Sequence, residues 1–202
     1  MESKTFIPWQ VEVFTLSTRV WRGLSSSNFP CNLVRCYGSQ VYVDGVLYWL
    51  ASDKVNGILR GFIMIVSFDL TSEEFRQVYF PDNLAPQPFG KFSMYKLRET
   101  LAVIEPCVED SNLVHHVWMM EKDDVTRSFK KLYTISNHSP DVSIVGVCGF
   151  RKTGEALIEL ETHPGSTKIL AAYDPYSKAI TNLGINGRNF SLYSYMETLV
   201  LL

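Results

Sequence analysis

The stretch that decides the fold is IVSFDLTSEEF, residues 65–75, in which two apolar segments flank a short polar break. A similar stretch occurs near the start of the chain as VEVFTLSTRVW, residues 11–21, and near its end as LAAYDPYSKAI, residues 170–180. Alternation of apolar and polar residues is typical of half-buried β-strands. Two such strands around a polar turn predict a β-hairpin in each copy.

The three copies align on an aromatic residue at Phe14, Phe68 and Tyr173. Phe14 and Phe68 are 54 residues apart, and Phe68 and Tyr173 are 105 residues apart. Because the second distance is close to twice the first, a further copy is expected between them. HHVWMMEKDDVTRSFKKLYTI, residues 115–135, fits this expectation with a longer turn. In the three aligned copies a second apolar residue follows seven positions later, at Trp21, Phe75 and Ile180.

A second phrase repeats with a period of ~54 residues. Its copies are VYVDGVLYWLAS, MYKLRETLAVIE and GFRKTGEALIEL, residues 41–52, 94–105 and 149–160. Each places two strand-like segments around a short turn, and Asp44-Gly45 is the strongest hairpin signal because type I′ turns need positive φ at both central positions. Each period therefore holds two hairpins, or four strands. A repeat of this length predicts a kelch-like β-propeller blade, with a β-helix or a sandwich as the alternatives.

The sequence predicts an all-β chain with an incomplete or open ring of about three full blades plus partial ones. Full blades are expected at Gly38–Pro81, Phe92–Ile135 and Val142–Ile185, with a half-blade at Val11–Leu24. One more hairpin is expected in SLYSYMETLVLL, residues 191–202. Either the two partial units join into a fourth blade, or the ring stays open.

Composition limits the partners and the compartment. The chain has 202 residues, of which 46% are hydrophobic, and this fits a single domain over residues 1–202. Its formal charge of -2 indicates no basic surface for nucleic acid or an anionic membrane. The N-terminus lacks the apolar segment of a signal peptide, so a cytoplasmic or nuclear protein is expected.

These phrases together, from about Gln10 to Leu202, resemble the F-box associated domain of plant F-box proteins, including the F-box/kelch-repeat and S-locus F-box types. In that family an N-terminal F-box docks on a Skp-type adaptor of a cullin-RING (SCF) ubiquitin ligase, and the associated domain captures the protein to be ubiquitinated. The residues before Val11 do not match an F-box, so an N-terminally truncated domain is expected.

The resemblance implies a protein-binding, non-enzymatic substrate-recognition module of an SCF-type E3 ubiquitin ligase. Its expected partners are a target protein and, only if an F-box is supplied elsewhere, a Skp-type adaptor and cullin. The alternatives are a truncated or decoy fragment without ligase assembly, and a carbohydrate-handling propeller enzyme in which Glu159 pairs with another carboxylate.

Catalytic and metal motifs are not found in the sequence. It contains no G-x-S-x-G, H-E-x-x-H, Walker or G-x-G-x-x-G pattern, and its four cysteines include no C-x-x-C pair. The neighbours His115 and His116 would point to opposite faces of a strand. We therefore expect no catalytic residue, no cofactor and no metal site.

Candidate contact residues are expected on the joins between hairpins, because recognition residues favour loops held by a rigid scaffold. The sequence predicts long joins at Ser52–Gly61, Pro106–His115 and Glu161–Thr167 within blades, and at Pro81–Lys91 and Ser136–Asp141 between them. The candidate partner-binding residues on these joins are Asp53, Lys54, Arg60, Glu109, Asp110, His115 and His163.

Overall fold

The structure is a computed structural model of the chain and describes residues 10–24, 34–55, 58–78, 80, 92–122, 127–137, 139 and 141–193. These residues form β-strands and turns without a helix, so no helix in them could cross a membrane. The strands are β1 (Val11–Thr15), β2 (Val20–Leu24), β3 (Val34–Val43), β4 (Val46–Val55), β5 (Ile58–Asp69), β6 (Glu74–Val78), β7 (Ser93–Leu97), β8 (Thr100–Glu109), β9 (Asn112–Lys122), β10 (Arg127–Ile135), β11 (Ser143–Phe150), β12 (Ala156–Glu161), β13 (Lys168–Tyr173) and β14 (Ile180–Gly187).

The strands pair with their neighbours in sequence. Among the described residues they form a two-stranded sheet, β1-β2, and three four-stranded sheets, β3-β4-β5-β6, β7-β8-β9-β10 and β11-β12-β13-β14. The paired strands are antiparallel, as hairpin connections require. The prediction of an all-β chain built from four-stranded blades is confirmed. The predicted final hairpin lies mostly outside the described residues.

The repeated phrase forms the last hairpin of the β3–β6 and β11–β14 sheets and the whole of the β1–β2 sheet. Phe68 pairs with Phe75 across β5 and β6, with ring centroids 4.6 Å apart. Phe14 and Trp21 occupy the same positions in β1–β2, at 5.1 Å. Aromatic pairs directly opposite each other contribute ~0.2–1 kcal/mol beyond an alanine pair. The same register in β13–β14 pairs Tyr173 with Ile180.

In the three aligned copies the polar break is a four-residue turn whose last residue, Arg19, Glu73 or Lys178, is left-handed. In the β5–β6 turn the Asp69 carboxylate accepts hydrogen bonds from the N–H groups of Thr71 and Ser72, and Glu73 has a φ of 55°. The β13–β14 turn repeats this arrangement with the Asp174 carboxylate. These segments turn because a short polar side chain accepts hydrogen bonds from backbone N–H groups two and three residues further along the chain.

The chain forms two compact units, each with its own core. Unit 1 contains β1–β6, and Ala51, Met64 and Val66 form a buried cluster there with Phe75 against it. Unit 2 contains β11–β14 and most of β7–β10. Its larger core joins the two sheets of that unit, and burial of each large aliphatic side chain contributes ~1.5–3 kcal/mol. The buried core residues of unit 2 are Leu97, Ala102, Ile104, Val117, Ile135, Ile144, Val147, Ala156, Ile158, Leu160, Ala171 and Tyr173.

Two of the predicted long joins are wrong, because the strands continue through them. β4 extends to Val55 and β5 begins at Ile58, so Ser52–Gly61 is mostly paired strand. Pro106–His115 is the end of the β8–β9 hairpin, closed by Asp110 and Ser111 with φ of 48° and 66°. Positive φ at both central positions defines a type I′ turn. Such turns usually contain glycine, and Asp110-Ser111 does not, so the sequence did not indicate this turn. Glu161–Thr167 holds a loop between β12 and β13, as predicted.

Replacement of Gly45 by alanine tests the role of the β3–β4 turn. Gly45 has a φ of +78°, and a Cβ there would meet no atom within 4 Å, so any cost comes from the backbone. We expect a loss of ~1–2 kcal/mol in the free energy of unfolding, measured by urea denaturation. Gly23→Ala is the matched control, because Gly23 has the same open space and no positive φ. Equal unfolding midpoints for the two variants would contradict the prediction.

Candidate functional site

A cleft of about 400 Å³ lies within unit 2, beside the tip of the β8–β9 hairpin, the end of β10 and the β13–β14 turn. A volume of this size is within the range of ligand-binding pockets. Its lining is mixed, with acidic, amide, hydroxyl and phenol groups beside a single lysine. The residues that line it are Glu109, Asp110, Asn112, Val114, Tyr133, Thr134, Ser136, Asn137, Tyr173, Pro175 and Lys178.

Tight turns place the polar groups of the cleft. The type I′ turn puts Asp110 at the hairpin tip, and the Asn112 amide donates a 3.2 Å hydrogen bond to the Asp110 carbonyl oxygen. On the other wall Lys178 is the left-handed residue of the β13–β14 turn, with a φ of 59°. Hydrogen bonds from the turn's backbone N–H groups lower the pKa of Asp174 and hold this turn closed. The two turns therefore fix where the backbone of Asp110 and of Lys178 lies at the cleft.

Tyr133 gives the cleft an unused hydrogen-bonding group. Its hydroxyl oxygen is buried and has no hydrogen-bond partner, although the residue lines the cleft. Burial raises the pKa of this phenol far above its usual value, so the hydroxyl stays protonated. Its neighbour Tyr173 instead donates a hydrogen bond of 3.4 Å to the carbonyl oxygen of Thr134. A buried hydroxyl without a partner costs free energy, and a polar group that reached it from the cleft would reduce this cost.

Next to the cleft, His116 sits between two carboxylates. Its Nδ1 is 3.2 Å from Glu105 Oε2, and its Nε2 is 2.8 Å from Glu109 Oε1. The indole N–H of Trp118 donates to the same Glu105 oxygen at 2.9 Å. Cys107 Sγ, a Glu109 carboxylate oxygen and a His116 ring nitrogen all lie within 4.8 Å of one another, so these three residues could hold a metal ion. His116 itself is 8% exposed.

The predicted contact residues have different positions in the structure. Glu109 and Asp110 come together in the cleft, whereas His163 is exposed on the β12–β13 loop. His115 is 4% exposed on β9, and its Nδ1 has no hydrogen-bond partner. Burial, together with the nearby His116, lowers the pKa of His115 to about 4, so its imidazole is neutral at pH 7. Because the side chain is buried, it is not accessible to a partner.

The other three predicted residues belong to unit 1. Asp53 and Lys54 are on β4 and Arg60 is on β5, and their side chains are outside the described part of the structure. Their role in partner binding stays a prediction. Sequence reasoning missed Tyr133, Asn137 and Lys178 of the cleft, since the repeat alignment placed Tyr133 simply as a strand residue.

One alternative from the sequence makes Glu159 a member of a catalytic carboxylate pair. In the structure its carboxylate belongs to a buried hydrogen-bond network. Its carboxylate accepts hydrogen bonds from Lys168 Nζ at 2.5 Å, from the Phe190 N–H at 3.2 Å and from the Cys148 thiol at 3.5 Å. The Glu159 side chain is 11% exposed and that of Lys168 is 21% exposed. The hydrogen bond to Glu159 raises the pKa of Lys168, which favours the charged pair. This environment is that of a structural ion pair.

With the fold and the cleft in place, comparison with known proteins gives the family. A family model described as an F-box associated beta propeller domain matches residues 1–198. The chain belongs to this family. Membership of the F-box associated domain family agrees with the three four-stranded antiparallel sheets and with the repeated hairpins.

Curated relatives of this F-box associated domain are F-box proteins of Arabidopsis thaliana. The F-box protein CPR1 is 28% identical over 63% of this chain and 32% of its own length. An F-box/kelch-repeat protein is 29% identical over 87% of this chain and 43% of its own length. A probable F-box protein is 22% identical over 95% of this chain and 64% of its own length. The chain thus spans about a third to two thirds of the length of these relatives. No solved structure matches the chain.

Removal of the Glu159 carboxylate tests the buried network of this domain. Glu159→Ala leaves Lys168, the Phe190 N–H and the Cys148 thiol without their shared acceptor, so we expect a loss of ~2–4 kcal/mol in the free energy of unfolding. Glu161→Ala, two residues along the same strand, is the control and should cost less than ~1 kcal/mol. Urea denaturation measures both, and a Glu159→Ala loss no larger than that of Glu161→Ala would contradict the prediction.

The thiol of Cys148 gives a test that needs no substitution. Burial, together with the Glu159 carboxylate, raises the pKa of Cys148 to about 12. Because the thiolate is the nucleophile, Cys148 should stay protonated and unreactive at pH 8.5. We expect iodoacetamide to modify Cys148 at least tenfold more slowly in the native protein than in urea, as measured by peptide mass spectrometry. Equal modification rates in the native protein and in urea would show that the Cys148 thiol is accessible and that its pKa is not raised.

Proposed function

We propose that this chain is the substrate-recognition part of an F-box-type receptor of an SCF ubiquitin ligase. The single observation that carries the proposal is the match of the F-box associated beta propeller family to residues 1–198. The names of the relatives support it, since each is an F-box protein. In this proposal the module binds a target protein and performs no chemistry itself. It acts in the cytoplasm or nucleus, where ubiquitin ligases meet their targets.

The cleft of unit 2 is the surface proposed to bind the target. It has the size of a binding pocket, and two of its polar residues, Asp110 and Lys178, lie in tight turns. The acids Glu109 and Asp110 at the hairpin tip favour a target segment with a basic side chain. Complementary charge gives specificity and faster association more than raw affinity.

The Tyr133 hydroxyl supplies the specific contact within this cleft. A target group that hydrogen-bonds to it would satisfy a buried polar atom that has no partner in the free protein. A site with a buried polar group discriminates strongly against ligands that leave this group unpaired. Tyr133 is thus proposed as a specificity contact, with Asp110 as the charged contact at the rim.

Ligase assembly in this proposal requires an F-box, which docks on a Skp-type adaptor that in turn binds the cullin. The alternative, a decoy that binds the target without the ligase, differs from the receptor only in those two partners. Both functions use the same cleft.

Partner capture followed by a defined binding assay tests the proposed function. The tagged chain is purified from plant extract, and bound proteins are identified by mass spectrometry alongside the adaptor and cullin. A reproducible partner is then purified, and its affinity is measured for the wild-type chain, Tyr133→Phe and Asp110→Asn. Asparagine tolerates the positive φ at residue 110, so that variant removes charge alone.

We expect each cleft variant to weaken binding at least fivefold. Tyr133→Phe should leave stability unchanged or slightly raised, because it deletes a hydroxyl without a partner. The controls are Tyr193→Phe, an exposed tyrosine, and Glu99→Gln at the opposite end of the same sheet, both expected to bind like wild type. Unchanged affinity in both cleft variants would reject the cleft as the binding surface. Partner binding without adaptor or cullin would favour the decoy.

A further inference from the structure

We propose that Cys107, Glu109 and His116 form a binding site for a divalent transition metal ion of the zinc type. Their donor atoms, a sulfur, a carboxylate oxygen and an imidazole nitrogen, lie within 4.8 Å of one another. These are the ligand types that zinc prefers in proteins. The site lies on one face of the β8–β9 hairpin and shares Glu109 with the cleft, but zinc binding does not depend on the proposed ubiquitin-ligase function. It departs from the sequence-based expectation that the chain holds no metal.

Strand register brings the three donors together. In the β8–β9 pair Glu105 is opposite His116, and Cys107 is opposite Val114. Because side chains alternate between the two faces of a strand, residues 105, 107 and 109 share one face, and His116 shares it from the opposite strand. The type I′ turn at Asp110–Ser111 fixes this register, since a shift of one residue would turn His116 to the other face.

A second set of hydrogen bonds already orients the histidine for metal binding. Nδ1 of His116 is 3.2 Å from Glu105 Oε2 and Nε2 is 2.8 Å from Glu109 Oε1, so donation from Nδ1–H to Glu105 would leave Nε2 as the metal-binding atom. The same Glu105 oxygen accepts the indole N–H of Trp118 at 2.9 Å, which holds the carboxylate in place. Metal-binding histidines commonly donate their other ring N–H to a carboxylate that is itself hydrogen-bonded.

The Glu109 carboxylate already lies beside the imidazole, with its Oε1 2.8 Å from His116 Nε2. Zinc is bound by a thiolate and a neutral imidazole, so metal binding at this site is accompanied by the release of protons. The thiolate and the Glu109 carboxylate then balance the two positive charges of the metal ion.

The site is partly preformed and can be reached from solvent. The side chains of His116 and Glu105 are 10% and 13% exposed, so the nitrogen donor and its support are fixed. The Glu109 side chain is 50% exposed and free to adjust. Donors around a tetrahedral zinc lie ~3.3–3.8 Å apart, so donors that are now up to 4.8 Å apart need to approach by ~1 Å at most, while the 2.8 Å contact of Glu109 with His116 widens by ~0.5 Å. With three protein ligands, water takes the fourth position.

Zinc titration of the full chain tests the proposal. The protein is stripped of metal with a chelator, the chelator is removed, and Zn²⁺ alone is added in a calorimeter at pH 7.5. We expect one equivalent bound with a Kd below ~1 μM, and at least tenfold weaker binding by His116→Ala and by Cys107→Ser. The matched controls His163→Ala and Cys36→Ser change exposed residues and should bind like wild type.

Two further measurements separate a metal site from a general effect on folding. Cobalt added in place of zinc should give a thiolate-to-cobalt charge-transfer band that Cys107→Ser loses, whereas Cys36→Ser keeps it. Glu105→Gln, similar in shape, should lower zinc affinity by ~10–100-fold with an unchanged circular dichroism spectrum. Absence of zinc binding at micromolar concentration, or binding that survives both His116→Ala and Cys107→Ser, would overturn the proposal.

Discussion

The requirement that every strand pairs its backbone N–H and C=O groups with a neighbour governs this structure. In a chain of short strands the hairpin turn decides which groups meet, and the turns here do so with residues in the left-handed region. Asp44, Arg98 and Asp110 have positive φ in turns of two residues, and Glu73 and Lys178 end turns of four residues. The cost of a left-handed conformation at a residue other than glycine is offset by the strand pairing that it permits.

Register then decides where chemistry is placed. The pairing of Glu105 with His116 puts a histidine, a cysteine and two glutamates on one face of the β8–β9 hairpin. His115, the residue before His116, points to the opposite face of the strand, and its burial lowers its pKa. The two adjacent histidines are both buried, and they differ in hydrogen bonding because side chains alternate along a strand.

Buried polar groups in unit 2 are of two kinds. Glu159 is saturated, with a lysine, a thiol and a backbone N–H around its carboxylate, and it ties β12, β13 and the segment at Phe190 together. Tyr133 keeps a hydroxyl without a partner beside a cleft. A saturated group contributes to stability, whereas an unsatisfied group beside a cleft is stabilised by a ligand. This contrast is why the cleft, and not the Glu159 network, is the proposed binding surface.

The sequence by itself determined the repeat, the four-stranded sheets and the paired aromatic positions such as Phe68 and Phe75, because alternation and turn chemistry are local signals. It did not show that the β8–β9 hairpin continues to Glu109, since a type I′ turn at Asp110–Ser111 has no glycine to mark it. The cleft depends on residues distant in sequence, from Glu109 to Lys178, and the grouping around His116 depends on the register of the β8–β9 hairpin. Only the tertiary structure decided them, because strand register and the packing of two sheets set which side chains meet.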